Sequence, residues 1–172
     1  MENKDKTAVV HALNAQQRAA HYATIALQTT GLMEGEADNP VGILANVAAL
    51  LKEAFDYYFW VGFYIVRRGQ LQLGPFQGPL ACLNISHGRG VCGTAWAEKR
   101  TLLVPDVEAF PGHIACSSRS RSEIVVPILR GGEVVAVIDV DSTTLDAFHE
   151  ADQVGLEALA QQLSQLFPLP KS

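Results

Sequence analysis

The sequence predicts an α/β domain of the α+β kind, with helices packed on a mainly antiparallel central sheet. Three observations predict it. Two helix-periodic segments open the chain, a long aromatic and β-branched run follows them, and Gly131-Gly132 joins two apolar strand-like segments near the end. Glycine pairs supply the positive φ angles of tight hairpin turns, so the last observation favours antiparallel neighbours over crossovers.

In residues 14–30 the apolar side chains Ala15, Ala19, Tyr22, Ala23, Ala26 and Leu27 recur at three- and four-residue spacing, predicting an amphipathic helix ended by Gly31. Residues 34–39 form a polar linker. Asn39 is then an N-cap and Pro40 the first residue of a second helix, whose apolar face holds Ile43, Leu44, Val47, Leu50, Leu51 and Ala54. Both helices are expected to cover one face of the sheet.

DYYFWVGFYIVRR is too continuously apolar for an exposed edge and predicts a central strand. Alternation puts Tyr58, Trp60, Gly62, Tyr64 and Val66 on one face and Tyr57, Phe59, Val61, Phe63 and Ile65 on the other. LQLGPF returns antiparallel, and LACLNI is expected to be a third strand carrying Cys82. A short helix over 90–99 and the apolar TLLVPD precede a loop punctuated by Pro111 and Gly112, which delivers Cys116. SEIVVPILR and EVVAVIDVDS make the last hairpin. The closing helix runs from 148 or 151 to 166, with Val154, Leu156, Leu159, Leu163 and Leu166 apolar, and Pro168 ends it.

A chain of 172 residues fits one domain, which we expect over 14–167, between tails at 1–13 and 168–172. The net charge of −5 argues against nucleic acid, whose phosphates call for a basic face; Arg119 and Arg121 are too few. MENKDKTAVV has no secretory pattern, and no run approaches the ~18 apolar residues of a membrane helix. The expected location is the cytoplasm, with no membrane partner. Thiols stay reduced there, so cysteines serve catalysis, metal binding or packing more often than permanent disulfides.

All three cysteines, Cys82, Cys92 and Cys116, fall within residues 78–122, together with His87, His113, Arg119 and Arg121. Cations and hydrogen-bond donors favour the reactive thiolate. The residues alone leave three readings open. One is a redox cycle through sulfenic acid and disulfide. Another is a Cys₃His zinc site using His87 or His113, which the lack of a C-x-x-C pair disfavours. The third is plain packing. Gly88, Gly90 and Gly93 also fit G-x-G-x-x-G, but a dinucleotide site needs a parallel βαβ unit that this layout lacks.

YYFWVGFYIV, GPFQGPLACLNISHGRGVCGTAW, HIACSSRSRSEIVVPI and GGEVVAVIDVDS together resemble the free methionine-(R)-sulfoxide reductases, single-domain members of the GAF fold. The resemblance spans nearly everything after Asn14. It implies an oxidoreductase acting on a sulfur group, which reduces free L-methionine-(R)-sulfoxide and takes part in repair after oxidative stress. It further implies Cys116 as nucleophile and Cys82 as main resolving thiol in a Cys82–Cys116 disulfide, with Cys92 as the alternative partner of Cys116. Thioredoxin is the implied reductant, no cofactor or metal is expected, and a homodimer is possible. The alternative is a non-catalytic GAF module that senses a small ligand.

Glu123, Asp139 and Asp141 stand in otherwise apolar strands, where charge is costly. Crowded carboxyls retain a proton, which suits protonation of a departing sulfoxide oxygen. They are also expected to receive the substrate's amino group, and Trp60 and Tyr64, with Gly62 leaving a gap between them, are placed by the resemblance as the cradle of its methyl-sulfur end. Asp139 and Asp141 should share a face with Val135 and Val137. A regular two-residue turn at Gly131-Gly132 would pair Glu123 with Val140 and point it away from them. A shared site therefore predicts a break in register, with Pro127 a plausible place for it.

Overall fold

The computed structural model describes residues 12–114 and 116–171. The expected N-terminal tail lies outside the described residues as far as residue 11, as do Ala115 and Ser172. Six strands form one sheet: β1 (Trp60–Arg67), β2 (Gln70–Gln77), β3 (Asn84–Ser86), β4 (Leu102–Val104), β5 (Ser122–Arg130) and β6 (Glu133–Ser142). Their order is β3-β2-β1-β6-β5-β4, and each neighbouring pair is antiparallel. The two longest apolar runs, β1 and β6, thus sit at the centre.

Helices α1 (Ala15–Gly35), α2 (Pro40–Ala54) and α4 (Glu150–Leu163) lie on one side, and α3 (Gly90–Glu98) with the cysteine loops lies on the other. Asn14 caps α1 by accepting from Gln17 N at 2.8 Å, while Gln17 Oε1 accepts from Asn14 N at 2.9 Å. The Asn39 side chain caps α2 by accepting from Gly42 N at 3.0 Å, with Pro40 opening the helix.

α1 departs from the sequence expectation in length and in face. It runs through Gly31 to Gly35, because a helical glycine costs only about 1 kcal/mol and continuing packs Leu32 and Met33 against the core. Its buried residues are Arg18, Tyr22, Ile25 and Thr29, while Ala15, Ala19, Ala23 and Leu27 are exposed. Arg18 turns inward because α4 supplies Asp152, whose carboxylate it meets at 2.5 Å. The same pairing makes Asp152 a buried member of α4 and leaves Val154 exposed.

Strand β1 begins at Trp60, later than expected. Tyr58 turns back, its N–H donating to Phe55 O at 3.2 Å, and joins the helix-side core, whereas Phe59 belongs to the opposite side. The expected alternation holds only from Trp60 onward. Cys82 lies outside the ladder, since β3 starts at Asn84 and Gly78 bends the chain with φ +140°.

The break in register between β5 and β6 is present. Ile128 pairs with Ala136 but Leu129 pairs with Val134, so Val135 is the extra residue. Pro127 pairs regularly with Val137, which moves the irregularity one residue past its expected place. Val135 consequently packs on the helix side, while Val134 joins Val137 on the other side, correcting the expectation that Val135 and Val137 share a face. The shift places Glu123 directly opposite Asp141. Among the described residues no helix is long and apolar enough to cross a membrane.

Candidate active site

Backbone pairing brings the acids and aromatics together in rows across three strands. Trp60 of β1, Asp141 of β6 and Glu123 of β5 form one row, and Gly62, Asp139 and Val125 form the next. Tyr64 lies opposite Val137 in the row beyond. A single Glu123–Asp141 register therefore fixes the floor of a small cleft partly open to solvent. Helix α3 lays Cys92 over that floor, and the cysteine loops form its mouth.

The aromatic wall differs from the expected gap. Trp60 stacks on Phe76 at 5.3 Å and on Tyr64 at 6.0 Å, so a Cβ at Gly62 would collide with Trp60 and Phe76. Glycine here makes room for the protein's own rings. Those rings also hold the loop above them: Trp60 Nε1 donates to Pro79 O at 3.1 Å, and Tyr64 OH donates to Cys82 O at 2.9 Å.

Cys82 and Cys116 are joined as a disulfide with their Cα atoms 5.6 Å apart, while Cys92 is free and buried. The structure thus contains the Cys82–Cys116 pairing and not Cys92–Cys116. Cys92 Sγ lies 4.0 Å from Glu123 Oε1, positioned to donate to it. Burial first, then the charges of Asp139 and Glu123, push the Cys92 thiol well up, which keeps it neutral and weakly nucleophilic.

The three carboxyls share one problem. Burial raises Glu123, reinforced by repulsion from Asp139 and Asp141; burial and Asp139 likewise raise Asp141, with a hydrogen bond from Ser120 opposing. Asp139 is also raised by burial, against opposing hydrogen bonds from Glu123 and Cys92 and the nearby His113. Its Oδ1 is buried without a hydrogen-bond partner. Such a cluster retains protons more readily than isolated carboxyls do and has capacity for a cationic guest.

His113 stands with Nε2 3.9 Å from Glu123 Oε2. Ser120 and Phe59 also line the cleft. In the sequence the signal for His113 was its place among the cysteines within residues 78–122, and Ser120 and Phe59 gave none. The Cys₃His zinc arrangement is not assembled, because Cys82 and Cys116 are bonded to each other. Among the described residues the grouping able to hold a cation is Cys92, Glu123 and Asp139, with ligand atoms within 4.8 Å of one another.

An antiparallel sheet backed by three helices, with a small-molecule cleft under loops on its other face, is the architecture of a GAF domain, and that family matches residues 39–167. GAF domain-containing protein A of Dictyostelium discoideum is 53% identical over 143 residues, covering 83% of this chain and 89% of its own. The free methionine-R-sulfoxide reductase of Escherichia coli (strain K12) is 43% identical over 84% of this chain and 87% of its own. The X-ray structure of free methionine-R-sulfoxide reductase from Neisseria meningitidis in complex with its substrate matches with a TM-score of 0.83 and 51% identity, over 87% of this chain and 90% of that one. This chain belongs to the free methionine-R-sulfoxide reductases of the GAF family.

Proposed function

We propose that the chain reduces free L-methionine-(R)-sulfoxide to L-methionine. The observation that carries this reading is a disulfide, Cys82–Cys116, beside a cleft floored by Glu123, Asp139 and Asp141. A ligand sensor has no evident use for that combination.

In the proposed cycle the Cys116 thiolate attacks the sulfoxide sulfur while the carboxyl cluster protonates the oxygen. The sulfur–sulfur bond formed in the attack then breaks as the protonated oxygen shifts from the methionine sulfur to the Cys116 sulfur, so that methionine leaves and Cys116 carries the oxygen as a sulfenic acid. Cys82 displaces it as water and closes the disulfide. Thioredoxin then delivers two electrons and two protons, restoring both thiols. The placement of Asp139, with an unpartnered buried oxygen, supports a grip on the substrate ammonium, which selects a free amino acid over a peptide-bound residue. Trp60 and Tyr64 offer π faces to the polarised sulfur. Cys92 acts by hydrogen bonding to Glu123 and not as a resolving thiol.

We place this activity in the cytoplasm and take residues 14–167 as one functional unit. Exposed Leu27 and Val154, on helices packed against each other, support a homodimer through α1 and α4, which sedimentation analysis tests. The deciding assay supplies each epimer of free methionine sulfoxide with a thioredoxin system. Consumption of reductant with the R form and not the S form is expected; inertness toward R overturns the proposal.

A further inference from the structure

The loop over residues 78–83 is anchored from below yet turns its largest apolar side chains to solvent. Leu80 is 91% exposed and Leu83 71%, on either side of Cys82. Their exposure does not come from a loose backbone. Trp60 Nε1 holds Pro79 O, Tyr64 OH holds Cys82 O, and Leu83 O accepts from Leu73 N at 3.0 Å. A single exposed leucine is ordinary, but two held outward beside a disulfide make a contact surface.

We propose that Leu80 and Leu83, with the rim cations Arg89 and Arg119, form the docking face for the thioredoxin-class dithiol protein that opens Cys82–Cys116. The inference rests on the reductase cycle proposed above. A disulfide is opened by a thiolate arriving in line with the sulfur–sulfur bond, so a protein donor must seat its surface around that bond. Cys116 is exposed and Cys82 half-buried, which makes the Cys116 sulfur the point of attack. The donor's thiolate forms a mixed disulfide with Cys116 as the bond to Cys82 breaks, and Cys82 leaves as thiolate and takes a proton. The donor's second thiol then displaces Cys116, so the donor is oxidised and both cysteines are reduced.

Charge favours the same occupant. Arg89 lines the cleft mouth and is exposed, and the guanidinium of exposed Arg119 stands 4.5 Å from the ring centroid of Phe59, which lines the same cleft as Cys116. A cationic rim on a chain of net charge −5 suits a donor whose thiol is ringed by apolar and acidic groups, and gives a salt-sensitive association. Trp60 and Tyr64 belong to both the cleft wall and the loop anchor, so the docking face is continuous with the substrate site.

The test compares two reductants on the full chain. Leu83 lies outside the cleft lining, so Leu83→Ser and Leu83→Asp should leave turnover driven by dithiothreitol within about twofold of wild type. Their KM for thioredoxin should rise about fivefold and about tenfold or more, respectively, since a new acid also opposes the partner's charge. Added salt should raise the wild-type KM for thioredoxin. Equal thioredoxin KM values in wild type and both variants would overturn the docking face alone. Wild-type turnover with dithiothreitol but none with thioredoxin would remove the partner, and no turnover with either would remove the reductase reading itself. A thioredoxin lacking its second thiol should accumulate as a mixed disulfide on Cys116; capture on Cys82 instead would overturn the assigned point of attack.

Discussion

On the helix-covered face of the sheet, Asp152 is wholly buried, yet both of its oxygens are engaged. Oδ2 accepts from Arg18 at 2.5 Å and from His149 N at 2.8 Å, and Oδ1 accepts from Tyr22 OH at 2.7 Å and Tyr57 OH at 2.6 Å. The Tyr22 and Tyr58 hydroxyls bond to each other, and Arg18 also donates to Ala147 O at 2.9 Å. On the opposite face three carboxyls crowd together; among the described residues His113, 3.9 Å from Glu123, is the basic side chain within ion-pair distance of them, and one Asp139 oxygen is unpartnered. A buried carboxylate that is fully paired ties elements together, here α1, α4 and the approach to β1. One that is left short of partners costs stability and is retained for what it binds or protonates.

The sharpest break in this contrast comes from the thiols above the unpaired cluster. Cys116→Ser should lower methionine release by about 10³-fold or more, while Cys82→Ser should release one equivalent of methionine and then stall, as quenched single-turnover assays would show. Next, Glu123→Gln should reduce turnover by about 10²-fold, with thermal stability at pH 7 unchanged or higher, because the replacement removes a costly charge. The reverse outcome is expected across the sheet. Asp152→Ala should cost about 3–5 kcal/mol in urea unfolding by leaving Arg18 buried and unpaired, without altering KM for the sulfoxide in the protein that remains folded.

Titration gives a smaller signal with a definite sign. Glu123, Asp139 and Asp141 are raised above 4.5, 3.8 and 3.8, so the folded state binds more protons than the unfolded chain. Their contribution to stability is fully present below those ordinary values and is lost as pH rises toward the raised ones. Wild type should therefore lose melting temperature relative to Asp141→Asn between pH 5 and pH 8, by roughly a few degrees. The smallest effect is expected from Tyr64→Phe, which removes the bond to Cys82 O and should cost about 1 kcal/mol.

The two clusters were not equally legible beforehand. Glu123, Asp139 and Asp141 stood out because each interrupts an apolar strand, and simple pairing arithmetic showed that they could meet only across a break in register. Arg18 and Asp152 gave no such signal. Each sits on a helix where a charged residue is ordinary, and only the approach of α1 to α4 turns them inward. Tyr58 was misassigned for a related reason: an apolar run gives no sign of where its alternation starts. His113 looked like any loop histidine until the chain around Pro111 and Gly112 folded back over Glu123.

By itself the sequence determined the helices, whose caps at Asn14 and Asn39 are local, the antiparallel hairpins, and the inventory of thiols, acids and aromatics. These depend on interactions within a few residues or on periodicity, which one chain displays openly. Only the tertiary structure decided that Val135 is the extra residue that swings Glu123 onto Asp141, that Cys82 rather than Cys92 meets Cys116, and that Trp60 and Phe76 fill the space at Gly62. Those outcomes depend on packing between segments distant in sequence, where one residue of register decides which face a side chain occupies.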